Sequence, residues 1–500
     1  MFIGEFRAGS TAIVIEYKWI ALTNTTLGAA MSAIDVSIVL IALPTIGRDL
    51  PNSSPFDLIW VLVGYQLVIA AVLVNFGRLS DMFGRVRLYT LGFALFTAAS
   101  ALCSLSQSGL ELVAFRMLQG LAAALLFSNS AAIITDAFPF DERGRALGVN
   151  AVAITAGSVV GLVLGGFITA TLGWRAIFWV NVPVGIVATV WSHYRLKEQS
   201  ARREGQKLDI AGNVTFAAGV FTLLSGISLY AVSSLSRSLS LGLAAAGVVV
   251  LVVFGFVETK VEDPMLKLSL FRNRLFAAGT VAIFLNSLAR GCVLLVLVFY
   301  LQGPNMDLGP FQAGLFLLPN TAMFALFGPV AGYLADRRGP RLVATSGLVM
   351  TAVGLTMLTQ LPPSVGFWQL ALPLAIAGAG MGTFAPPNRA SVMSAVPPED
   401  RGLAAGISTT LINFGNSVSR SLAFVVMGAV VPVAALDEMF AGNYGAAGGA
   451  FAGNFVDGVH LVFLVSTVFV LLSIVPSILR GGRDVPGKGQ EAAASLQEGV

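Results

Sequence analysis

The sequence predicts an all-α membrane protein of fourteen transmembrane helices, built as two six-helix pseudo-symmetric halves with two helices inserted between them. Three observations carry this expectation. First, 56% of the 500 residues are hydrophobic and 11% are charged, with a mean hydropathy of +0.82, whereas a soluble domain carries about 25% charged residues. Second, the apolar residues fall in blocks near the roughly 20 residues that cross a bilayer. Third, the charged stretch GRLSDMFGRVR, Gly77 to Arg87, returns as GYLADRRGPR, Gly332 to Arg341, with Gly, Asp and Gly at the same spacing.

Taken in order, the apolar blocks of the first half lie near 20–46, 57–76, 88–106, 109–136, 146–171 and 174–194. Two more, 209–232 and 238–258, follow. The second half holds 275–302, 310–335, 341–361, 366–396, 402–433 and 457–479. Several exceed the hydrocarbon thickness, so tilt or protruding ends are expected. A β-barrel would need strands that alternate polar and apolar residues, and these blocks do not. The first block is too long for a signal-peptide core and lacks a small-residue cleavage site, so it is expected to be a retained helix. Cys103 and Cys292 fall inside blocks and suggest no disulfide.

Orientation follows from Lys and Arg in the short loops. With the N-terminus inside, the inner segments hold twenty-three of them and the outer loops only Arg48, Arg175 and Arg237. Both termini are therefore expected in the cytoplasm, with the chain a multi-pass protein of the cell (plasma or inner) membrane. The basic pI of 9.2 reflects this asymmetry and implies no nucleic-acid partner.

The two charged copies join the second and third helices of each half on the same side. Eight helices separate them, not six, so the seventh and eighth are an insertion between charged linkers. The predicted organisation is 20–195 for the N-terminal half, 196–274 for the insertion with its linkers, 275–480 for the C-terminal half and 481–500 for a disordered tail. The Gly-rich outer loop from Ala434 to Gly458 is expected to be mobile.

Certain residues stand out chemically. In the first copy, Gly77 and Gly84 allow a close, sharp turn, Asp81 suits a position near a helix N-terminus, and Arg85 can reach Asp136 at the end of the fourth helix; Asp336 is the Asp of the second copy. Asp35 lies roughly eleven residues, or about 16 Å, inside the first helix. An ionised carboxylate is costly there, so it can carry a proton. Arg116 lies about 10 Å into the fourth helix, at similar depth, and Gln119 shares its face. Gly157, Gly161 and Gly165, with Gly166 beside them, form a strip that lets another helix approach closely. Pro319, Pro329, Pro386 and Pro387 are expected to break helices. Arg290, Arg389 and Arg420 lie within spans of the second half, where no Asp or Glu sits mid-span. Arg290 and Arg420, with Gln119, Asn320 and Asn413, are the candidates to line a substrate cavity.

GRLSDMFGRVR resembles the signature loop of the major facilitator superfamily. DVSIVLIALPTI (35–46), FRMLQG (115–120), GSVVGLVLGG (157–166), WRAIFWVNVPVG (174–185), AGLFLLP (313–319) and PPNRASVMSAVPPEDRG (386–402) also fit, and the fourteen-helix layout is similar to its drug:proton antiporter branch. The resemblance implies that Gly77, Asp81, Gly84, Arg85, Asp136 and Asp336 form a conformational latch. It implies proton transfer through Asp35 and Arg116, and an antiport motif at Gly157–Gly166 in which Leu162 replaces the usual Pro. The predicted function is a proton-coupled secondary transporter exporting small hydrophobic compounds or drugs by alternating access, with anionic lipids or amphiphilic metabolites as the alternative. Its partners would be a small-molecule substrate, protons and membrane lipids, and it would act as a monomer. No phosphate-binding loop is present, and His193 and His460 stand apart near helix ends, so no enzyme activity, cofactor or metal is expected. A catalytic membrane protein and a non-transporting sensor are rivals with no residues to support them.

Overall fold

The computed structural model describes residues 16–139, 142–199, 208–232, 236–303, 305–397, 400–432 and 448–480. A chain without water around it must satisfy its backbone internally, and helices do so. In chain order they are α1 (Tyr17–Asp49), α2 (Pro55–Phe83), α3 (Arg85–Leu105), α4 (Gly109–Ala137), α5 (Arg143–Leu172), α6 (Ala176–Trp179) and α7 (Asn181–Arg195). Then come α8 (Ile210–Val232), α9 (Arg237–Glu258), α10 (Arg274–Arg290), α11 (Val293–Gln302), α12 (Pro310–Arg338), α13 (Pro340–Leu358), α14 (Phe367–Ser394), α15 (Arg401–Met427) and α16 (Gly448–Leu479). With α6–α7 and α10–α11 each taken as one span, thirteen are long and apolar enough to cross a membrane. The remaining one, α15, is 27 residues long but carries Ser408, Thr410, Asn413, Asn416, Ser419 and Arg420, which lower its hydropathy.

The packing has two-fold logic. In the first half α1 lies on α5, α2 on α4 and α3 on α4; in the second, α10 lies on α15, α12 on α14 and α13 on α14. Across the halves, α2 packs on α15 and α5 on α12. The second helix of each half thus meets the fifth of the other, as a pseudo-two-fold axis requires.

The inserted helices lie outside this arrangement. α8 packs on α2 and α15, and α9 on α8; Val249 and Phe256 of α9 are 61% and 66% exposed, an apolar surface suited to lipid. The segment after α9 spans the two halves. Arg78 of α2 donates to the carbonyls of Asp263 and Pro264 (2.6 and 2.7 Å), and Lys267 Nζ pairs with Asp400, 2.9 Å away at the start of α15.

Several expectations need correction. The sixth span keeps helical backbone angles through Val180 and lacks only one rung, because Pro183 has no N–H for the carbonyl of Trp179. The ninth spans Arg274–Gln302 as expected, but its hydrogen-bond ladder is interrupted at Gly291–Cys292, which keep helical backbone angles. The helices named for their prolines do not break: α12 runs through Pro319 and Pro329, and α14 through Pro386 and Pro387. α16 begins at Gly448, inside the segment expected to be a loop; 433–447 and the tail 481–500 lie outside the described residues.

The glycine strip of α5 packs against α1. A Cβ at Gly157, Gly161 or Gly165 would meet Ala30 O, Ile34 O or Ile38 Cα at 2.9, 2.8 and 2.8 Å. Gly166 instead faces the other half, where a Cβ would meet Pro310 O at 2.5 Å, and Gly314 is pressed on Leu162 O at 2.6 Å. Phe167 and Phe311 meet edge-on beside them, with ring centroids 6.2 Å apart, and Gln302 Nε2 donates to Ile41 O at 2.9 Å. The α5–α12 seam is therefore closed on the face away from the Gly77–Arg87 loop. Toward the loop face, Gly144, Gly148 and Gly332 have open space beside them.

Gly166→Val is expected to wedge α5 from α12 and lengthen spin-label distances between their far ends, while Gly148→Val leaves them unchanged. Unchanged distances in Gly166→Val would show that this contact does not hold the seam.

Candidate functional site

The loop between α2 and α3 is a single residue, Gly84, at φ +109°, a conformation that L side chains rarely adopt. This turn sets Asp81, in the last turn of α2, against Arg85, the first residue of α3. Arg85 Nε and Nη2 both lie 2.8 Å from Asp81 Oδ1, and Nη1 lies 2.8 Å from Asp136 Oδ2 on α4. The guanidinium fork thus joins three helix ends, a bidentate use that Lys could not reproduce. Glu198, from the linker after α7, accepts from the backbone N–H groups of Arg85 and Val86 at 2.9 and 3.1 Å and so satisfies the free N-terminus of α3.

Two expectations about this region fail. Gly77 lies within α2 and has nothing near the place of a Cβ, so no close approach requires it. Asp336 is exposed and forms no ion pair among the described residues. The second copy turns at Gly339 (φ +84°) as the first does at Gly84, but α14 carries no carboxylate, and Asp400 is engaged by Lys267.

Deep in the first half, Asp35 is 1% exposed and Arg116 is fully buried. Arg116 Nη1 lies 2.6 Å from Asp35 Oδ2, its Nε donates to Val61 O at 3.2 Å, and its guanidinium stacks 4.3 Å over the Tyr65 ring. The other carboxylate oxygen, Oδ1, accepts from Gln119 Nε2 and Asn181 Nδ2, both at 2.9 Å. Asn181 also donates to Ser100 Oγ at 3.2 Å. Gln119, expected in the substrate cavity, belongs instead to this fully buried network. Arg116 Nη2 has no hydrogen-bond partner, so one donor of the pair stays uncommitted. Asn181 and Ser100 were missed from sequence; the Asn-x-Pro at the missing rung of the sixth span was the available signal.

In the second half, Arg420 is 8% exposed. Its Nε donates to Gly291 O at 3.2 Å, a carbonyl freed where α10 ends, and its Nη1 donates to Gln66 Oε1 of α2 at 2.5 Å. Cys292 N donates to Ser419 Oγ at 3.0 Å, so α15 satisfies both sides of the break. Arg290 is partly exposed and lies 5.8 Å from the Phe324 ring centroid. Asn320 is buried and donates to Leu374 O, Asn413 donates to Thr409 O, and Arg389 is exposed. Among the described residues, no cluster could hold a metal ion.

The family model of the Major Facilitator Superfamily matches residues 25–419 and 279–498. The chain belongs to the major facilitator superfamily. Within it, the chain is 32% identical over 400 residues to the riboflavin transporter RibZ of Clostridioides difficile, covering 80% of this chain and 86% of that one. It is 31% identical over 409 residues to the tetracenomycin C resistance and export protein of Streptomyces glaucescens, covering 82% and 76%, and 29% identical over 452 residues to multidrug resistance protein 3 of Bacillus subtilis, covering 90% and 86%. Among solved structures, a bacterial homologue of the human lysosomal transporter Spinster, inward-facing and unoccupied, superposes with a TM-score of 0.67 over 94% of this chain and 98% of that one, at 17% identity. The chain is a multi-pass membrane transporter of small molecules.

Asp136→Asn removes one of the two carboxylates, Asp81 and Asp136, that grip the Arg85 guanidinium. The variant is expected to keep its fold, because the pair is partly exposed and worth about 1 kcal/mol or less. Its cross-linking yield between the halves on the far face should nonetheless change; an identical yield would make the Arg85 contact a mere anchor.

Proposed function

We propose that this chain is a proton-coupled secondary transporter, not an enzyme, that exports small hydrophobic compounds by alternating access. The observation carrying the reading is Asp35, the one carboxylate buried in the interior of a helix among the described residues. Ionised, it holds Arg116 and two amide donors. A proton removes the charge, and with it a Coulomb attraction that is large in apolar surroundings. With the proton on Oδ2, Oδ1 can still accept from Gln119 and Asn181, but Arg116 must re-partner, which disturbs the packing of α1 against α4.

Basic-residue asymmetry orients the loop face toward the cytoplasm. In that orientation the closed α5–α12 seam is the outer one, so this state would load substrate from the cytoplasm with Asp35 ionised. Opening outward would admit a proton to Asp35 and release the substrate. Relatives named for resistance and export support outward transport, and the Arg85 latch would set the balance between the two states.

In proteoliposomes, ethidium, riboflavin and 6-carboxyfluorescein supply cationic, neutral and anionic probes. Asp35→Asn is expected to abolish pH-gradient-driven export of whichever probes the wild type moves, while passage down a concentration gradient survives; undiminished uphill export would sink the assignment. Asn181→Ala removes one charge-assisted bond of about 1.5–3 kcal/mol. It should lower gradient-driven export several-fold and leave downhill passage intact; equal losses in both would make Asn181 only structural.

A further inference from the structure

The charge balance differs between the halves. Arg116 has Asp35, but among the described residues neither Arg290 nor Arg420 forms an ion pair. α10, α11, α14 and α15 contain no Asp or Glu at all. Embedded arginines of this kind face a wet cavity and take a partner there. Arg420 is held by backbone and amide oxygens, which position a cation without neutralising it: Gly291 O on one side, Gln66 Oε1 on the other. Gly291 adjoins Arg290 in the chain, so the break between α10 and α11 brings the two cationic residues into one neighbourhood. The break is tightly set, since a Cβ on Gly291 would meet Asn416 Cα at 2.6 Å.

Six residues before each arginine stands a phenylalanine, Phe284 on α10 and Phe414 on α15. Their rings stack with centroids 5.7 Å apart and planes at 20°. Six residues is about 9 Å along each axis but about 240° around it, so this pair lies on another face of each helix; a ring that does meet a cation is that of Phe324 on α12, its centroid 5.8 Å from Arg290 Cζ.

We propose that Arg290 and Arg420 bind the anionic group of an aromatic substrate whose rings lie toward Phe324. The inference rests on the export reading and names its substrate class: aromatic acids ionised near neutral pH, in preference to cations. Because Arg420 also bridges the halves through Gln66, an anion on Arg420 competes with that inter-half bond. Occupancy of the site and the relation of the halves are thereby linked.

The test uses the full chain in phosphatidylcholine nanodiscs without a gradient. Binding of 1-pyrenebutyric acid, whose one acidic group is its carboxyl, is compared with binding of its uncharged methyl ester and of ethidium. Wild type should bind the acid best. Arg290→Gln and Arg420→Gln should each weaken the acid by at least about tenfold, the scale of a lost charge-assisted contact, with the ester little changed; Arg420→Lys should keep most of the affinity. If Arg420→Gln does not fold, as judged by melting temperature, Arg290→Gln and Arg420→Lys decide. Preference for ethidium, or undiminished acid binding in the Gln variants, overturns the proposal. So does loss of acid binding when phosphatidylglycerol is added, which would assign the site to a lipid headgroup. Asp35→Asn should still bind the acid; if it loses uphill export while the arginine variants bind normally, export stands and the anion site falls.

Discussion

The contact between Arg116 and Asp35 organises the first half of the molecule. One carboxylate on α1 gathers a guanidinium and an amide from α4 and a second amide from α7, while Arg116 reaches a carbonyl of α2. Asn181 extends the network to Ser100 on α3. Five helices meet at one ionised group. Removing one partner of such a pair leaves a buried charge unmatched and costs about 3–5 kcal/mol. The half is therefore a tightly specified unit, whereas glycine contacts and a few hydrogen bonds hold the seams between halves.

The two halves share packing but not charge. Both turn at a left-handed glycine, and both present their second and fifth helices to the other half. Only the first has the acid that turns the loop arginine into a three-helix junction, and only the first pairs its deep arginine. The second spends its deep arginine on an interrupted helix ladder and on Gln66 across the interface. On the proposed reading this is a division of labour: protons are handled in the first half, and the substrate's charge in the second. The inserted helices stay outside the division, touching α2 and α15 at their outer surface, while the segment after α9 ties Arg78 in one half and Asp400 in the other.

Much of this was legible in the sequence, because membrane helices announce themselves by length and hydropathy and because an acid or arginine inside an apolar run is conspicuous. Asp35, Arg116, Arg85 and Asp136 could be singled out on those grounds. What was not legible depends on tertiary partners. Prolines 319, 329, 386 and 387 looked like breaks and are absorbed into continuous helices, whereas Gly291–Cys292 is an interruption of the hydrogen-bond ladder stabilised by Arg420 and Ser419 from more than a hundred residues away. Glu198 caps α3 from a linker that reads as solvated charge. Gly166 follows Gly165 by one residue, a rotation of about 100°, and so faces a different helix in a different half. Asp336 matches Asp81 in spacing, but spacing alone does not supply the partner on α14.

The central claim is that the Asp35 carboxylate exchanges its proton against substrate. Its most direct test is proton release from the purified, weakly buffered protein when an exported probe is added, read with a pH-sensitive dye across the neutral range. The account predicts that saturating probe releases protons from the wild type at the acidic end of that range, where Asp35 starts protonated, and releases none from Asp35→Asn. Equal release from wild type and Asp35→Asn would contradict it.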